Sequence, residues 1–380
     1  MVGNGGALPY DAEVEYLQFD GTQYIELPII PSEATDCIEI EFRRTNNTNQ
    51  QRFFFTNSEG TAMSDIFNVY VNSSGRIGYN RNGGWAALSS NDNSAIGLVH
   101  HVLKVDYLNN KIIYDFLEFG IGNTNRVGVS NLILFGAYGT NPTFKGLVYA
   151  IRYWRSGVMI YNLQPVRKSG LGYLYDKIGG GMYGNGDIGI GYDRLTNLSD
   201  YTLLDFIQNT STAATAPYID TGINARTGSA NSTTISMFMK VMYQDISSEK
   251  RQLMGADYNP FFGCDKGIYS NAGAMTGVVP STTSYDSVTM DTYTWGSANS
   301  PASSPLCLFR LYSCGYRYLL STTYINLCKL KEYKIYIDGI AVRDYVPVLH
   351  PAGVYGMFDK VENKFYASAT RVGFTGGFDE

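Results

Sequence analysis

The residues able to do chemistry are few. In Cys37-Ile38-Glu39-Ile40-Glu41-Phe42 the two glutamates stand two apart on an alternating run. Retaining glycoside hydrolysis needs two carboxyls ~5–5.5 Å apart, which positions i and i+2 of a strand nearly supply. The arrangement that serves this chemistry on one strand face is Glu-x-Asp-x-x-Glu, and here Arg44 stands at the third acid. The corresponding run later in the chain, Ser236-Met237-Phe238, has no acid. Glu39 and Glu41 therefore read as a solvated strand face opposite Ile38 and Ile40. There are only 3 histidines, His100, His101 and His350. His101 falls on the apolar side of its strand by parity, which suits a core residue better than a general base. No nucleophile elbow or phosphate loop occurs, and Gly179-Gly180-Gly181 lacks a following Lys-Ser/Thr and reads as a turn. The 5 cysteines, Cys37, Cys264, Cys307, Cys314 and Cys328, never form Cys-x-x-Cys, so buried free thiols are expected.

Aromatic residues carry more weight, with 31 Tyr and 19 Phe in 380 residues. Tyrosine and tryptophan supply rigid area with a hydrogen-bonding tip, which suits sugar stacking and polar interfaces. Trp85, in Asn80-Arg81-Asn82-Gly83-Gly84-Trp85, is the first candidate for glycan contact, with Asn80 and Asn82 as polar partners. Tyr293 and Trp295, in the long Ser/Thr-rich stretch from Pro280 to Pro305, form the second. Trp154 lies within a strand and reads as structural.

The elements that must position these residues are strands. Ile38, Ile40 and Phe42 share one face, as do His101, Leu103, Val105 and Tyr107. Asn109-Asn110 turns the chain into Lys111-Ile112-Ile113-Tyr114, a hairpin signature. Ile235, Met237, Met239 and Val241 alternate likewise, and no amphipathic stretch is long enough for a major helix.

The chain also repeats. Ile151-Arg152-Tyr153-Trp154-Arg155-Ser156-Gly157 aligns with Tyr333-Lys334-Ile335-Tyr336-Ile337-Asp338-Gly339, and Pro165 aligns with Pro347. After one inserted residue, Leu174-Tyr175-Asp176-Lys177-Ile178 aligns with Met357-Phe358-Asp359-Lys360-Val361. Copies this long read as tandem globular domains. The boundaries are a Gly-rich arm over residues 1–12, domains over 13–193 and 201–380, and a polar linker over 194–200. Many short strands with Gly and Asn turns predict an all-β fold of antiparallel jelly-roll sandwiches. A net charge of −5 argues against tracking nucleic-acid phosphates. No apolar run approaches a membrane span, and the N-terminus has no basic region with an apolar core, so neither membrane insertion nor a secretory signal is expected.

Two motifs carry a resemblance. The opening Tyr218-Ile219-Asp220-Thr221-Gly222 and the closing Asp338-Gly339, Val342-Arg343-Asp344-Tyr345-Val346-Pro347, Gly356-Met357-Phe358-Asp359-Lys360-Val361 and Lys364-Phe365-Tyr366 resemble concanavalin A-like, laminin-G-like modules. Such modules recur in structural proteins of tailed bacteriophages and prophages. The first copy departs from the pattern, with Glu26-Leu27 for Asp-Thr and Tyr161-Asn162-Leu163 for Arg-Asp-Tyr. The resemblance implies a non-enzymatic virion protein: a head fibre, capsid decoration or tail-associated appendage. It would be a homotrimer held to other virion proteins through the arm, exposed on the particle, and either binding a bacterial surface glycan or stabilising the particle. A bacterial or prophage carbohydrate-binding module and a glycoside hydrolase on the same fold stay open as alternatives. No cofactor is expected. Calcium is the one ion the resemblance admits, with Asp176, Asp187, Asp257 and Asp265 as candidate ligands without EF-hand spacing. Within the closing motif, the strand is expected to end at Pro347, Asp359 to cap the next turn, and Arg343 with Asp344 to form a surface charge pair.

Overall fold

A computed structural model describes residues 8–45, 52–56, 69–71, 77–81, 84–87, 100–114, 117–121, 127–128, 130–135, 144–209, 216–224, 234–243, 251–255, 261–264, 268–270, 275–277, 284–294, 305–309, 328–369 and 373–379. The described residues are all-β, with one 3-10 turn at Leu198–Asp200. The chain divides into two compact units, Met1–Arg194 and Leu195–Glu380.

Each unit has two antiparallel sheets that share one core. In the first unit the large sheet runs Leu117–Gly120, Lys111–Tyr114, His100–Asp106, Asp36–Arg44, Lys145–Arg155, Val158–Lys168, Leu171–Asp176, Met182–Gly186. The smaller sheet runs Ile25–Leu27, Leu132–Leu134, Arg52–Thr56, Val69–Val71, Ile77–Arg81, Gly84–Ala87. Ile38, Ile40, Phe42, Leu103 and Val105 from the large sheet meet Ile25, Leu27, Val69, Leu132 and Leu134 from the smaller one in a single cluster. The period-two alternation thus buries one face of each strand, and His101 is buried with that face, stacked on Tyr114.

The second unit repeats the central part of this order, from the strand beside Thr234–Tyr243 to the last hairpin. Asp286–Thr294, Thr234–Tyr243, Cys328–Ile337, Ile340–Leu349, Tyr355–Asp359 and Lys364–Ala367 follow one another across its large sheet. The second and last strands of each unit also pair: Leu17–Asp20 with Gly189–Ile190, and Phe206–Gln208 with Thr375–Gly377. Even the irregularities recur. A register shift falls between Tyr153 and Trp154, and between their aligned residues Ile335 and Tyr336. The hairpins turn at Ser156-Gly157 and Asp338-Gly339, with φ of 51° and 78° in one and 49° and 78° in the other. Positive φ at both central positions matches the twist of the flanking strands, which explains the glycine second in each pair.

The aligned aspartates have one job. Asp176 accepts the N–H groups of Asn162, Ile178 and Gly179 at 3.0, 3.0 and 2.8 Å. Asp359 accepts those of Asp344 and Val361 at 2.9 and 3.0 Å. Each buried carboxylate therefore ties a turn to the neighbouring strand. This is the turn cap expected of Asp359, extended to a second strand.

Three expectations are corrected. The strand does not end at Pro347, because Ile340–Leu349 continues and Pro347 stays in register with Met357. The missing N–H faces the other edge. There, pairing with Cys328–Ile337 stops at Tyr345, and the Pro347 carbonyl accepts the Leu204 N–H instead. Arg343 and Asp344 are not a surface pair: neighbours on a strand face opposite ways. Arg343 is buried and donates through Nε and Nη2 to the Thr221 carbonyl at 3.1 and 2.9 Å, while Asp344 meets Lys360 at 2.9 Å. The opening and closing motifs of the second copy therefore meet at one guanidinium, beside Gly222 at φ 66°. Finally, the end of the segment read as the arm is part of the sheet. Ala12 pairs with Arg167, and the Tyr10 ring lies 4.9 Å from that of Tyr175. Tyr201 makes the same contact with the aligned Phe358, at 5.2 Å.

Asp176→Ala and Asp359→Ala each leave two or three backbone N–H groups without an acceptor, at about 1–3 kcal/mol apiece. Each variant is expected to lower the melting transition of its own unit, expressed as residues 8–194 or 195–380, by about 3 kcal/mol or more.

Candidate functional site

The outward face of the first unit's large sheet carries the densest polar and aromatic chemistry. Its axis is strand Lys145–Arg155. A register shift between Val148 and Ala150, opposite Asp36–Arg44, turns Tyr149 outward beside Ala150. Bulges re-aim side chains in this way. Arg152 and Trp154 then follow on the same side. Arg152 Nη1 lies 2.6 Å from both Glu39 Oε1 and Glu41 Oε1. Burial works to lower the guanidinium pKa, but Glu41 and Glu39 outweigh it and hold it above its ordinary value. Beyond Glu41, His100 lies 3.8 Å from the carboxylate, and its ring lies 4.8 Å from that of Tyr149. Tyr149, Tyr16 and Tyr192 continue as edge-on rings at 6.0 and 5.9 Å. At the other end the Lys104 ammonium sits 5.0 Å from the Trp154 ring centre.

The paired carboxylates thus clamp one cation between them. They form a half-buried polar seam on the outward face, as the alternation predicts.

The second unit carries different residues on the same scaffold. Its large sheet has the equivalent shift between Lys240 and Val241, with Lys331 at the position of Tyr149. Phe238 replaces Glu39 opposite Lys334, and Lys240 replaces Glu41 opposite Glu332. Lys331 lies over the Tyr285 ring at 4.2 Å and pairs with Asp379.

Of the residues singled out in the sequence, Asn80 and Trp85 are register partners in the hairpin of Ile77–Arg81 and Gly84–Ala87. That hairpin ends the strand order of the smaller sheet. Tyr293 pairs with Ile235 within Asp286–Thr294. The side chains of Asn80, Trp85 and Tyr293, together with Asn82 and Trp295 entirely, lie outside the described residues. Asp257 and Asp265 lie outside them too. Asp176 spends its carboxylate on backbone N–H groups, which corrects its reading as a calcium ligand. Asp187 is exposed, and its carbonyl accepts from Gln23 Nε2 at 3.3 Å. Among the described residues, no three His, Cys, Asp or Glu side chains group as a metal site, and no helix is long and apolar enough to cross a membrane. His350 is buried, with its Nδ1 accepting the Ala352 N–H at 3.0 Å. Cys37 and Cys328 are buried thiols, and burial pushes Cys37 up to about 12.

Asp36 was not legible as a hub. Its buried carboxylate accepts from Tyr153 Oη at 2.5 Å, Arg155 Nε and Nη2 at 2.9 Å, Thr35 Oγ1 at 2.7 Å and the Ser32 N–H at 2.7 Å. Burial raises its pKa, but these donors, Arg155 first, hold it below 3.8. The residue signals alone, an Asp at a strand start and an Arg at a hairpin, do not announce the contact.

No family model matches the chain, and no curated protein matches it. Among solved structures it is similar to mouse laminin alpha1 chain, domains LG4-5, at 10% identity over 90% of this chain and 94% of that one, with a TM-score of 0.28. It is also similar to NanB plus Optactamide, at 9% identity over 93% of this chain and 74% of that one, with a TM-score of 0.25. At these TM-scores neither likeness decides fold or function, which rest on the strand pairing and side chains above.

A depressed native pKa stabilises above the unfolded value and loses that stability as pH falls through the native one. Asp36→Asn is therefore expected to cost about 3 kcal/mol at pH 7, as breaking a buried pair does. Its melting temperature should converge on the wild type's as pH falls below the usual carboxylate range and through the lower native value, where the wild-type carboxylate itself protonates.

Proposed function

We propose that this chain is a non-enzymatic binding protein built of two laminin-G-like jelly rolls, displayed on a bacteriophage particle, that attaches to a bacterial surface glycan. The observation that carries this reading is the contrast between its copies. The scaffold is repeated to the level of register shifts, turn dihedrals and capping aspartates. The outward faces are not: Glu39, Glu41 and Tyr149 are answered by Phe238, Lys240 and Lys331. A scaffold kept while its surface diverges suits modules that present different contact surfaces. A shared catalytic centre would instead keep its acids in both copies.

The glycan contacts proposed are Trp85 with Asn80 and Asn82, and Trp295 with Tyr293. Support for the first group is the register of Asn80 against Trp85 across one hairpin. A ring there would stack on the C–H face of a sugar while the amide bonds its hydroxyls. The virion setting, the trimer and attachment through the Gly-rich start of the chain follow from the resemblance of the opening and closing motifs.

Losing a stacking ring costs about 2–4 kcal/mol at a binding hot spot. Trp85→Ala and Trp295→Ala should therefore abolish binding of the full chain to host cells, with the melting temperature unmoved. Normal binding by both variants, or loss of polymer length on incubation with purified capsule, would overturn the reading.

A further inference from the structure

We propose a self-association surface: the end of the first unit built around Asp36 seats the same end of a second copy of this chain. It rests on the self-association in the reading above and uses none of its glycan contacts.

Four large apolar side chains stand exposed at that end, Ile30, Leu108, Val127 and Val158, between 42% and 66% accessible. They come from four separate chain segments, and Asp36 gathers them. Its N–H donates to the Ser32 carbonyl, and its carboxylate accepts the Ser32 N–H. That fixes the segment that carries Ile30, and Ser32 in turn bridges to Val127. The Asp36 carbonyl accepts the Tyr107 N–H, next to Leu108. Arg155, held on the Asp36 carboxylate, is the register partner of Val158 and donates to the Ile30 carbonyl at 2.8 Å. The Ser156 N–H, in the same hairpin, donates to the Thr35 carbonyl at 2.7 Å. Apolar side chains scattered singly on a surface need no explanation, but a group of them marks a contact site.

The second unit shows that the scaffold does not need this carboxylate. Arg155 is in register with Asp36, whereas the aligned Ile337 is in register with Ile235. Ile335 likewise stands at the place of Tyr153. The same two strands pair there without an acid or a base. Replacing a buried ion pair by apolar residues is often neutral or stabilising, so stability alone does not call for Asp36 and Arg155. What they add is the placing of the loops, and Ile30 goes with them, since Asn224 stands at its place in the second unit. Loops fixed before contact lower the ordering cost of association.

The occupant follows from charge. Asp36 and Arg155 are spent on each other, so an occupant that brought a charge against the four apolar side chains would bury it without a partner. The same end of a second copy brings none from these residues, and symmetric assemblies use such self-matching patches. A net charge of −5 disfavours the other apolar occupant, an anionic lipid surface.

The test is sedimentation equilibrium of the full chain across the micromolar range. Val127→Lys and Val158→Lys are each expected to raise the dissociation constant of the associated chain at least ten-fold, with the circular dichroism spectrum unchanged because both residues are exposed. Ile340→Lys makes the same change at the aligned turn of the second unit and should associate as the wild type does. Should a lysine variant misfold, Val158→Asn repeats the test without a charge. Wild-type association in both first-unit variants would overturn this surface and leave the proposed trimer standing. Equal weakening by Ile340→Lys would overturn it as well, as general stickiness of exposed turns. A wild-type chain that stays monomeric throughout would overturn the surface and the trimer together. Binding of that monomer to phosphatidylcholine vesicles, lost in Val158→Lys, would assign this end to lipid instead. The glycan reading is decided separately, by Trp85→Ala and Trp295→Ala.

Discussion

A carboxylate buried where a hairpin meets its neighbour holds each unit in register. Asp176 and Asp359 take the N–H groups of a following turn and of the adjacent strand. Those donors are off the regular ladder, so no strand can satisfy them, and an unpaired buried N–H is costly. The two sites are not identical. Asp176 receives a third N–H, from Gly179, whereas Glu362 occupies the aligned place and Asp359 instead has Arg343 Nε at 3.5 Å. Burial accordingly raises the Asp359 pKa against its two backbone bonds and the guanidinium. The same Arg343 grips the Thr221 carbonyl of the smaller sheet and Glu362 Oε1 at 2.5 Å. One side chain thus links the carboxylate, the turn and the opposing sheet.

With register fixed, the outward face becomes free to vary. A strand's two faces are independent in sequence, because side chains alternate. The inward residues of both copies are apolar and buried, while the outward ones differ in charge and aromaticity. The repeated bulge extends this freedom. It gives each large sheet one extra outward position, filled by Tyr149 in one copy and Lys331 in the other.

Much of this was legible in the residues. Alternation in Cys37–Phe42 and in the run from His101 to Val105 marks the buried face correctly, since burying one side is what period-two patterning means. Asn109-Asn110 and Asp338-Gly339 announce their hairpins, because few residues accept positive φ. Other features depend on what lies across the sheet. Pro347 looks like a strand end until its free edge is seen to face Leu204. Arg343 looks exposed until Thr221 arrives from the opposing sheet. The Tyr149 bulge has no local signature, and the seam of Arg152 needs a partner 113 residues away. Trp154 reads as structural by its strand position, yet only the Lys104 contact reveals the face it shares.

The central claim is that the chain holds a polysaccharide on diverged outer surfaces without cutting it. Hydrogen exchange of the full chain with and without purified host-surface polysaccharide, with polymer length followed in the same sample, tests it most directly. The account predicts added protection at Ile77–Arg81, Gly84–Ala87 and Asp286–Thr294, with polymer length unchanged. Protection absent from all three segments, or a shortening polymer, would contradict it.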